Sequence, residues 1–450
     1  MNELNTNSLT VSEESLKNII ADALALAKTS GASQAEAGLS VSEGMSVSAR
    51  MRAVETVEYQ KDNGLGISVY FGQHKGSAST SSLTPEAIRK TVEAACNIAK
   101  YTSEDPCAGL ADAELMARDF VDLDLFHEWQ LSADEAIVMA LECEAAALDF
   151  DASITNSDGA SIDLGKSTSA YGNSHGFLQS EKKTRHSISC SVVGQNEKGM
   201  QRDYWYDVSR KASDLQSVQQ IGRKAARRTV DRLGATKLKT GQSPVLFVPQ
   251  LARGLISHLN AAISGNAQYR KASFLLDAVD SRIFPEFFQL QEHPFEKMAL
   301  GSANYDGEGV AVHEHSLVSD GVLQAYLLDS YSARKLKCQT NGHASGVHNL
   351  KLSDTGKDFD ACLHAMDKGL LVTELMGHGV STVTGDYSRG AAGFWVENGN
   401  IQYPVEEITI ASNLKDMFAG IVEIGSDIDS RGSIHCGSVL VERMTIGGEG

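Results

Sequence analysis

Alternation of polar and apolar residues at period two recurs through this 450-residue chain and excludes an all-helical fold. It runs through 44–81, as in Ser46-Val47-Ser48-Ala49-Arg50, Thr56-Val57-Glu58-Tyr59 and Gly66-Ile67-Ser68-Val69-Tyr70. The Asp62-Asn63-Gly64 corner predicts a hairpin turn there. Further strands are expected at about 152–165, 167–180 and 184–194. Beyond Pro244 a buried strand, Val245-Leu246-Phe247-Val248, leads straight into a helix from Pro249 to about Ser264. Most of the remainder alternates, with turns at Ser319-Asp320-Gly321 and Glu397-Asn398-Gly399 and one helix at about 359–368.

Helical period and capping residues interrupt this pattern. Thr10 and Glu13 have capping-box spacing before a helix over about 12–30, which Gly31 ends. Thr84-Pro85 opens a helix to about 100, Ser132 and Glu135 cap one to about 148, and another spans about 214–233. The expected fold class is α+β, in three parts. Residues 1–120 and 121–240 form two units of helices packed on antiparallel sheet, and 241–450 form a mainly β domain with edge helices.

Lys and Arg number 40 and Asp and Glu 58, so the formal charge is 40 − 58 = −18. Such a surface repels phosphates and anionic lipid, which argues against nucleic acid and membrane partners. One basic run, Arg223, Lys224, Arg227, Arg228 and Arg232, reads as a solvated helix face, the alternative being a dock for an acidic peptide or subunit. The first residues carry neither a basic nor an apolar leader region, and no run approaches the ~18 apolar residues of a membrane span. Seven scattered Cys without framework spacing suit a reducing compartment, so the cytoplasm is the expected location.

Several short motifs resemble chemistry. Gly172-Asn173-Ser174-His175-Gly176 has the spacing of a serine hydrolase elbow, but its strand-like flanks read as a hairpin tip. The stretch from Gly159 to Ser167 has the wrong spacing for a phosphate loop and no helix to follow it. His313-Glu314-His315 puts two imidazoles on one strand face, which could bind a metal, although solvated edge residues are the expected reading. His343 and His348 in a Gly-containing loop are read the same way. In the 249–264 helix, His258 shares a face with Leu251, Leu255 and Ala262, the usual setting of a core histidine. A helical zinc peptidase needs two imidazoles with a Glu beside the first; this helix has one imidazole and no carboxylate.

The segment from Gly369 to Gly399, with His378-Gly-Val-Ser-Thr-Val-Thr-Gly385-Asp386-Tyr387-Ser388-Arg389-Gly390 at its centre, resembles the signature of the TldD/PmbA family, in its PmbA (TldE) branch. Leu327 to Leu336, Tyr269 to Asp277 and Gly172 to Gly176 match it too. The resemblance implies a cytoplasmic metalloprotease built from TldD and TldE subunits, enclosing a chamber for unfolded peptide. It is linked to microcin maturation and antitoxin degradation. TldD-type subunits carry His-Glu-x-x-x-His and a distant Cys as metal site. Laid on this sequence, the first His matches His258, the general-base Glu falls on Leu259, the second His on Ile263, and the Cys on Cys436. The resemblance therefore implies a subunit with no confident catalytic residue and no metal of its own, His258 and Cys436 being vestigial candidates. Zinc or another divalent ion would sit in the TldD-type partner. Asp386, Tyr387, Ser388 and Arg389 are the candidate substrate-binding residues, in what reads as a Gly-rich loop. A homodimer is also possible. Two other readings stand beside this one: a peptidase active alone with metal on His258, Cys436 and His435, and a non-proteolytic modulator of a target such as gyrase.

Overall fold

The computed structural model describes residues 12–449. Its first half is built on β1 (Gln34–Arg50), β2 (Ala53–Phe71), β3 (His74–Thr80), β4 (Ile154–Asn173), β5 (Leu178–Asn196) and β6 (Gly199–Ser209). These form one antiparallel sheet in the order β3-β2-β1-β4-β5-β6. The strands of the two expected N-terminal units thus share a sheet, and β1 and β4 meet at its centre.

Four helices fold against it: α1 (Glu13–Thr29), α2 (Pro85–Tyr101), α3 (Ala133–Leu148) and α4 (Val218–Asp231). Alternation along β1 decides which face they cover. Ala35, Ala37 and Leu39 share a core with Leu16, Ile20 and Val92, and Val47 and Ala49 with Ala140 and Ile221. The opposite face of β1 carries Glu36, Gly38, Ser40, Ser42, Gly44 and Ser46, and it stays at least partly open. Thr84 caps α2 with Pro85 in its first turn, and Ser132 and Glu135 form the expected capping box on α3. Ser12 caps α1, accepting from the Ser15 N–H at 3.1 Å; the Thr10 of the expected box lies outside the described residues.

The second half contains β7 (Gly241–Phe247), β8 (Leu290–Glu292), β9 (His315–Ser319), β10 (Val322–Leu323), β11 (Leu350–Leu352) and β12 (Gly369–Met376). They are followed by β13 (Asp386–Glu397), β14 (Asn400–Asn413), β15 (Ile421–Ile424), β16 (Ile434–His435) and β17 (Val439–Gly447). One sheet has the order β14-β13-β12-β7-β17-β15, and an extra β14–β17 pairing closes part of it into a ring. The other sheet is β10-β9-β8-β11-β16. The helices here are α5 (Pro249–Ala262), α6 (Gly265–Tyr269), α7 (Ser330–Leu336), α8 (Phe359–Met366) and α9 (Leu414–Ala419). β7 is buried on both faces, as its unbroken apolar run demands. Phe247 shares a core with Leu255, Ile256 and Leu259 of α5, while Leu246 packs with Cys362 and Met366 of α8. No helix among the described residues is long and apolar enough to cross a membrane.

Arginines join the halves. Arg210 donates to the carbonyls of Ala299 and Leu300 at 3.1 and 3.0 Å, and Arg334 to those of Cys107 and Gly109 at 3.2 and 3.0 Å. The basic run on α4 is not simply a solvated face. Arg223 is exposed, but Arg228 reaches Asp203 at 3.1 Å, and Arg232 bridges Asp203 to Glu374 across the halves.

The hairpin expected at Asp62-Asn63-Gly64 is absent. These residues lie inside β2, opposite Ser42, Val41 and Ser40. The chain turns at Met51-Arg52 instead, with φ of 51° and 64°. Such a turn favours Asn-Gly, because each non-Gly residue at positive φ costs about 1 kcal/mol. Glu144 of α3 offsets that cost: its two carboxylate oxygens accept the Met51 and Arg52 N–H groups, both at 2.7 Å. Glu144 is fully buried, so the carboxylate has no water to fall back on. Glu144→Ala is expected to lower unfolding free energy by roughly 2–4 kcal/mol, measured by urea denaturation. A loss under about 0.5 kcal/mol, the range of an ordinary surface change, would mean that the turn forms without this carboxylate.

Candidate functional site

The polar face of the N-terminal sheet does not pack flat on the second half. A cleft of about 1200 Å³ opens between them. β2 and β3 contribute Tyr70, Lys75, Ser77 and Ser79, β1 contributes Glu36, and the second half contributes Glu308 and Tyr331. A second cleft of about 900 Å³ lies further along the same face, lined by Ser42, Ser46, Lys166, Arg185 and Arg210 among others. Glu36 is held by the hydroxyls of Tyr70 and Tyr171, each donating at 3.0 Å. Burial, with Glu36 adding to it, raises both phenols well above their ordinary range, so they remain donors. Lys335 and Tyr331 both reach Asp105, at 3.0 and 2.7 Å, tying α7 to the loop after α2.

Pro249 at the first position fixes the start of α5, and the face made by Ala252, Leu255, Ile256, Leu259 and Ala262 is buried. His258 sits beside that face, half-buried, with its ring 6.0 Å from Tyr387 in an edge-on arrangement. Burial, and then the nearby Arg389 charge, lower its pKa, which favours the neutral ring. Leu259 and Ile263 are both 0% exposed within the main core. Cys436 is equally buried, its thiol directed at the Pro249 carbonyl at 3.8 Å. Pro249 precedes His258 by nine residues, about 13 Å of helix axis. Burial pushes the Cys436 thiol up to about 12, so it stays protonated. A helix-borne peptidase metal therefore does not fit: the general-base and second-imidazole positions are core aliphatics, and the thiol stands at the other end of α5.

Asp386, Tyr387, Ser388 and Arg389 are not in a loop. They open β13, paired with Asn413, Ser412, Ala411 and Ile410. The alternation of a strand then sorts them. Asp386 is exposed and accepts from the Thr384 hydroxyl at 2.7 Å, Tyr387 is buried against His258, and Ser388 is exposed. Arg389 is half-buried, and its Nε has no acceptor among the described residues.

The histidines read as solvated edge residues divide. His313 is exposed and precedes β9, so it does not share a strand face with His315. His343 and His348 are buried, and both meet Glu292 of β8, at 2.8 and 3.2 Å. His315 approaches the same carboxylate at 3.5 Å. Burial alone would raise the Glu292 pKa, but hydrogen bonds from His343 and His348 bring it down to about 2. Sequence reasoning passed over Glu292. Its signal was there: period two from the buried Leu290 points Glu292 inward, where an unpaired carboxylate is not tolerated.

Descriptions of the PmbA/TldA metallopeptidase match in order: domain 1 over residues 35–99, the central domain over 126–233 and the C-terminal domain over 240–448. The chain is 50% identical over 435 residues to "Metalloprotease PmbA" of Escherichia coli O157:H7, covering 96% of each. It is 48% identical over 448 residues to "Metalloprotease PmbA homolog" of Haemophilus influenzae, covering 99% of each. A "Zinc metalloprotease TldD homolog" of Saccharolobus solfataricus is 25% identical over 226 residues, 48% of this chain and 51% of that protein. A solved Bacteroides thetaiotaomicron protein, described as a candidate modulator of DNA gyrase, superposes with a TM-score of 0.92 at 28% identity, covering 97% of this chain and 100% of that one. TldE from Thermococcus kodakarensis shares the fold, with a TM-score of 0.82 at 18% identity over 96% of this chain and 100% of that one.

The cleft carboxylate Glu308 gives a direct test of this geometry. Burial pushes it up to about 7, against hydrogen bonds from Ser330 and with Asp306 and Asp329 adding to the rise. In the unfolded chain it titrates near 4.5. Between those values the folded protein keeps a proton that the unfolded chain has released, so stability falls as pH rises across the interval and levels off above it. Glu308→Gln can still accept from the Ser330 N–H, now 3.0 Å away. It is expected to remove that fall and to gain up to about 3 kcal/mol at about pH 8, read from urea melts at about pH 5 and about pH 8. Parallel pH profiles in the two proteins would count against a buried, protonated Glu308.

Proposed function

We propose, from the premise that this chain belongs to the TldD/PmbA metallopeptidase family, that it is the TldE-type subunit of a cytoplasmic heteromeric metalloprotease acting on unfolded peptides such as microcin precursors and antitoxins. In this reading the catalytic zinc or other divalent ion belongs to a TldD-type partner, and this chain completes the chamber. The observation that carries it is Leu259. A fully buried leucine, which has no group to take a proton from water, stands where the general base would be.

The clefts supply the rest. An extended peptide binds most readily by adding to an exposed sheet edge. β3 is such an edge, and alternate residues Lys75, Ser77 and Ser79 face the cleft. Of the four β13 residues, Arg389 is half-buried with its Nε out of reach of a peptide, and Tyr387 is buried and supports His258. Asp386 and Ser388 are exposed beside it.

The test is to assay cleavage of an unstructured peptide by this chain alone, by a TldD-type subunit alone and by the mixture. Only the mixture should cleave efficiently, and His258→Ala in this chain should leave the mixture active. Cleavage by this chain alone, abolished by His258→Ala, would defeat the reading. Leu259→Glu should not create activity. It places an unpaired carboxylate in the core and should cost roughly 3–5 kcal/mol of stability, seen as a lowered urea midpoint.

A further inference from the structure

A second cluster, away from α5, has the chemistry that the helix lacks. Glu292 on β8, His315 at the start of β9 and His343 in the loop before β11 bring one ligand atom each within 4.8 Å of one another. The tautomer of His343 is fixed by its neighbours. Asn341 accepts the Leu328 N–H at 2.9 Å through Oδ1 and donates to the Tyr326 carbonyl at 2.8 Å through Nδ2. Its oxygen therefore faces His343 Nδ1 at 2.8 Å, and that nitrogen must carry the proton. In the neutral ring this leaves the Nε2 lone pair facing Glu292 Oε2 at 2.8 Å. Two acceptors at that distance need a cation between them, either a second proton or a metal ion.

We propose that Glu292 Oε2, His343 Nε2 and His315 Nδ1 form a binding site for a divalent ion of the zinc class. Bonds of about 2.0–2.2 Å in a tetrahedron separate ligand atoms by about 3.3–3.5 Å. The Glu292–His315 separation of 3.5 Å already matches, and Glu292–His343 opens by about half an ångström. His315 Nδ1 also lies 3.2 Å from the His313 carbonyl, so ligation moves its proton to Nε2. The supporting contacts are those of a built metal site: Asn341 orients one imidazole, and His348 holds the second oxygen of Glu292 from its backbone N–H and from Nδ1 at 3.2 Å. Glu292 and His343 are buried, while the His315 side chain is 30% exposed and gives the ion a way in. Three protein ligands leave a fourth position open on that side. This site is independent of the peptidase reading, which concerns α5.

The experiment titrates Zn²⁺ into chelator-treated full-length chain by calorimetry and Co²⁺ by visible absorption. One equivalent should bind, and the Co²⁺ form should show d–d bands without a thiolate charge-transfer band. His315→Ala, at an exposed ring, should keep the fold by circular dichroism and weaken Zn²⁺ at least tenfold. His343→Ala should weaken it further, and His258→Ala and Cys436→Ser should bind as the unaltered chain does. Failure of the folded chain to bind an equivalent, unchanged affinity in His315→Ala, or loss in Cys436→Ser would each overturn the proposal, the first leaving a proton as the shared cation.

Discussion

The relation between the two halves rests on guanidinium groups bonded to backbone carbonyls. Arg210 is 4% exposed and spends its donors on Thr184 within the first half and on Ala299 and Leu300 in the second. Arg334 does the converse, reaching from α7 to Cys107 and Gly109 of the loop after α2. These carbonyls lie outside strand pairing, so each needs a donor when buried. Removing the buried Arg210 would leave the Thr184, Ala299 and Leu300 carbonyls short of a donor, a larger loss than an exposed ion pair gives. The clamps stand at separate places along the polar sheet face and hold the second half off it. The clefts are the space that remains.

Helix α5 is placed by packing alone. Pro249 starts it, β7 aims it, and an apolar stripe buries it; none of these depends on a metal. Leu259 and Ile263 belong to that stripe and to the core between two sheets. Both contribute packing, and a polar replacement would disrupt the core that positions the helix. His258 keeps only an aromatic contact with Tyr387, and Cys436 a thiol contact at the opposite end.

What the sequence revealed follows the range of the interactions involved. The β7–α5 unit was readable because an apolar run, a Pro and a helical stripe are contiguous. Caps at Thr84 and Ser132 were readable because they span three residues. The Met51-Arg52 turn was not, because the carboxylate that satisfies it comes from Glu144, 93 residues away in the chain. Asp62-Asn63-Gly64 misled for the complementary reason: β1 pairs straight through it, and cross-strand pairing outweighs a local turn preference. The loop reading of Asp386–Arg389 failed likewise, since β14 supplies the partner that makes it a strand. His343 and His348 could be seen as histidines but not as buried ones, because Glu292 reaches them from another strand.

Glu36, Glu292 and Glu308 are drawn into the interior or the cleft of a strongly acidic protein, and each is accommodated differently. Two tyrosine hydroxyls hold Glu36, imidazoles hold Glu292, and Glu308 is left with too little compensation and retains a proton near neutrality. The contrast orders the site. Where imidazoles converge on Glu292, the carboxylate stays charged and can organise a cation. Where burial dominates, a carboxyl becomes a neutral donor. The first cleft thus sets charged groups, among them Lys75, Asp105 and Lys335, beside its hydroxyls, whereas the Glu292 cluster gathers its charge in the interior.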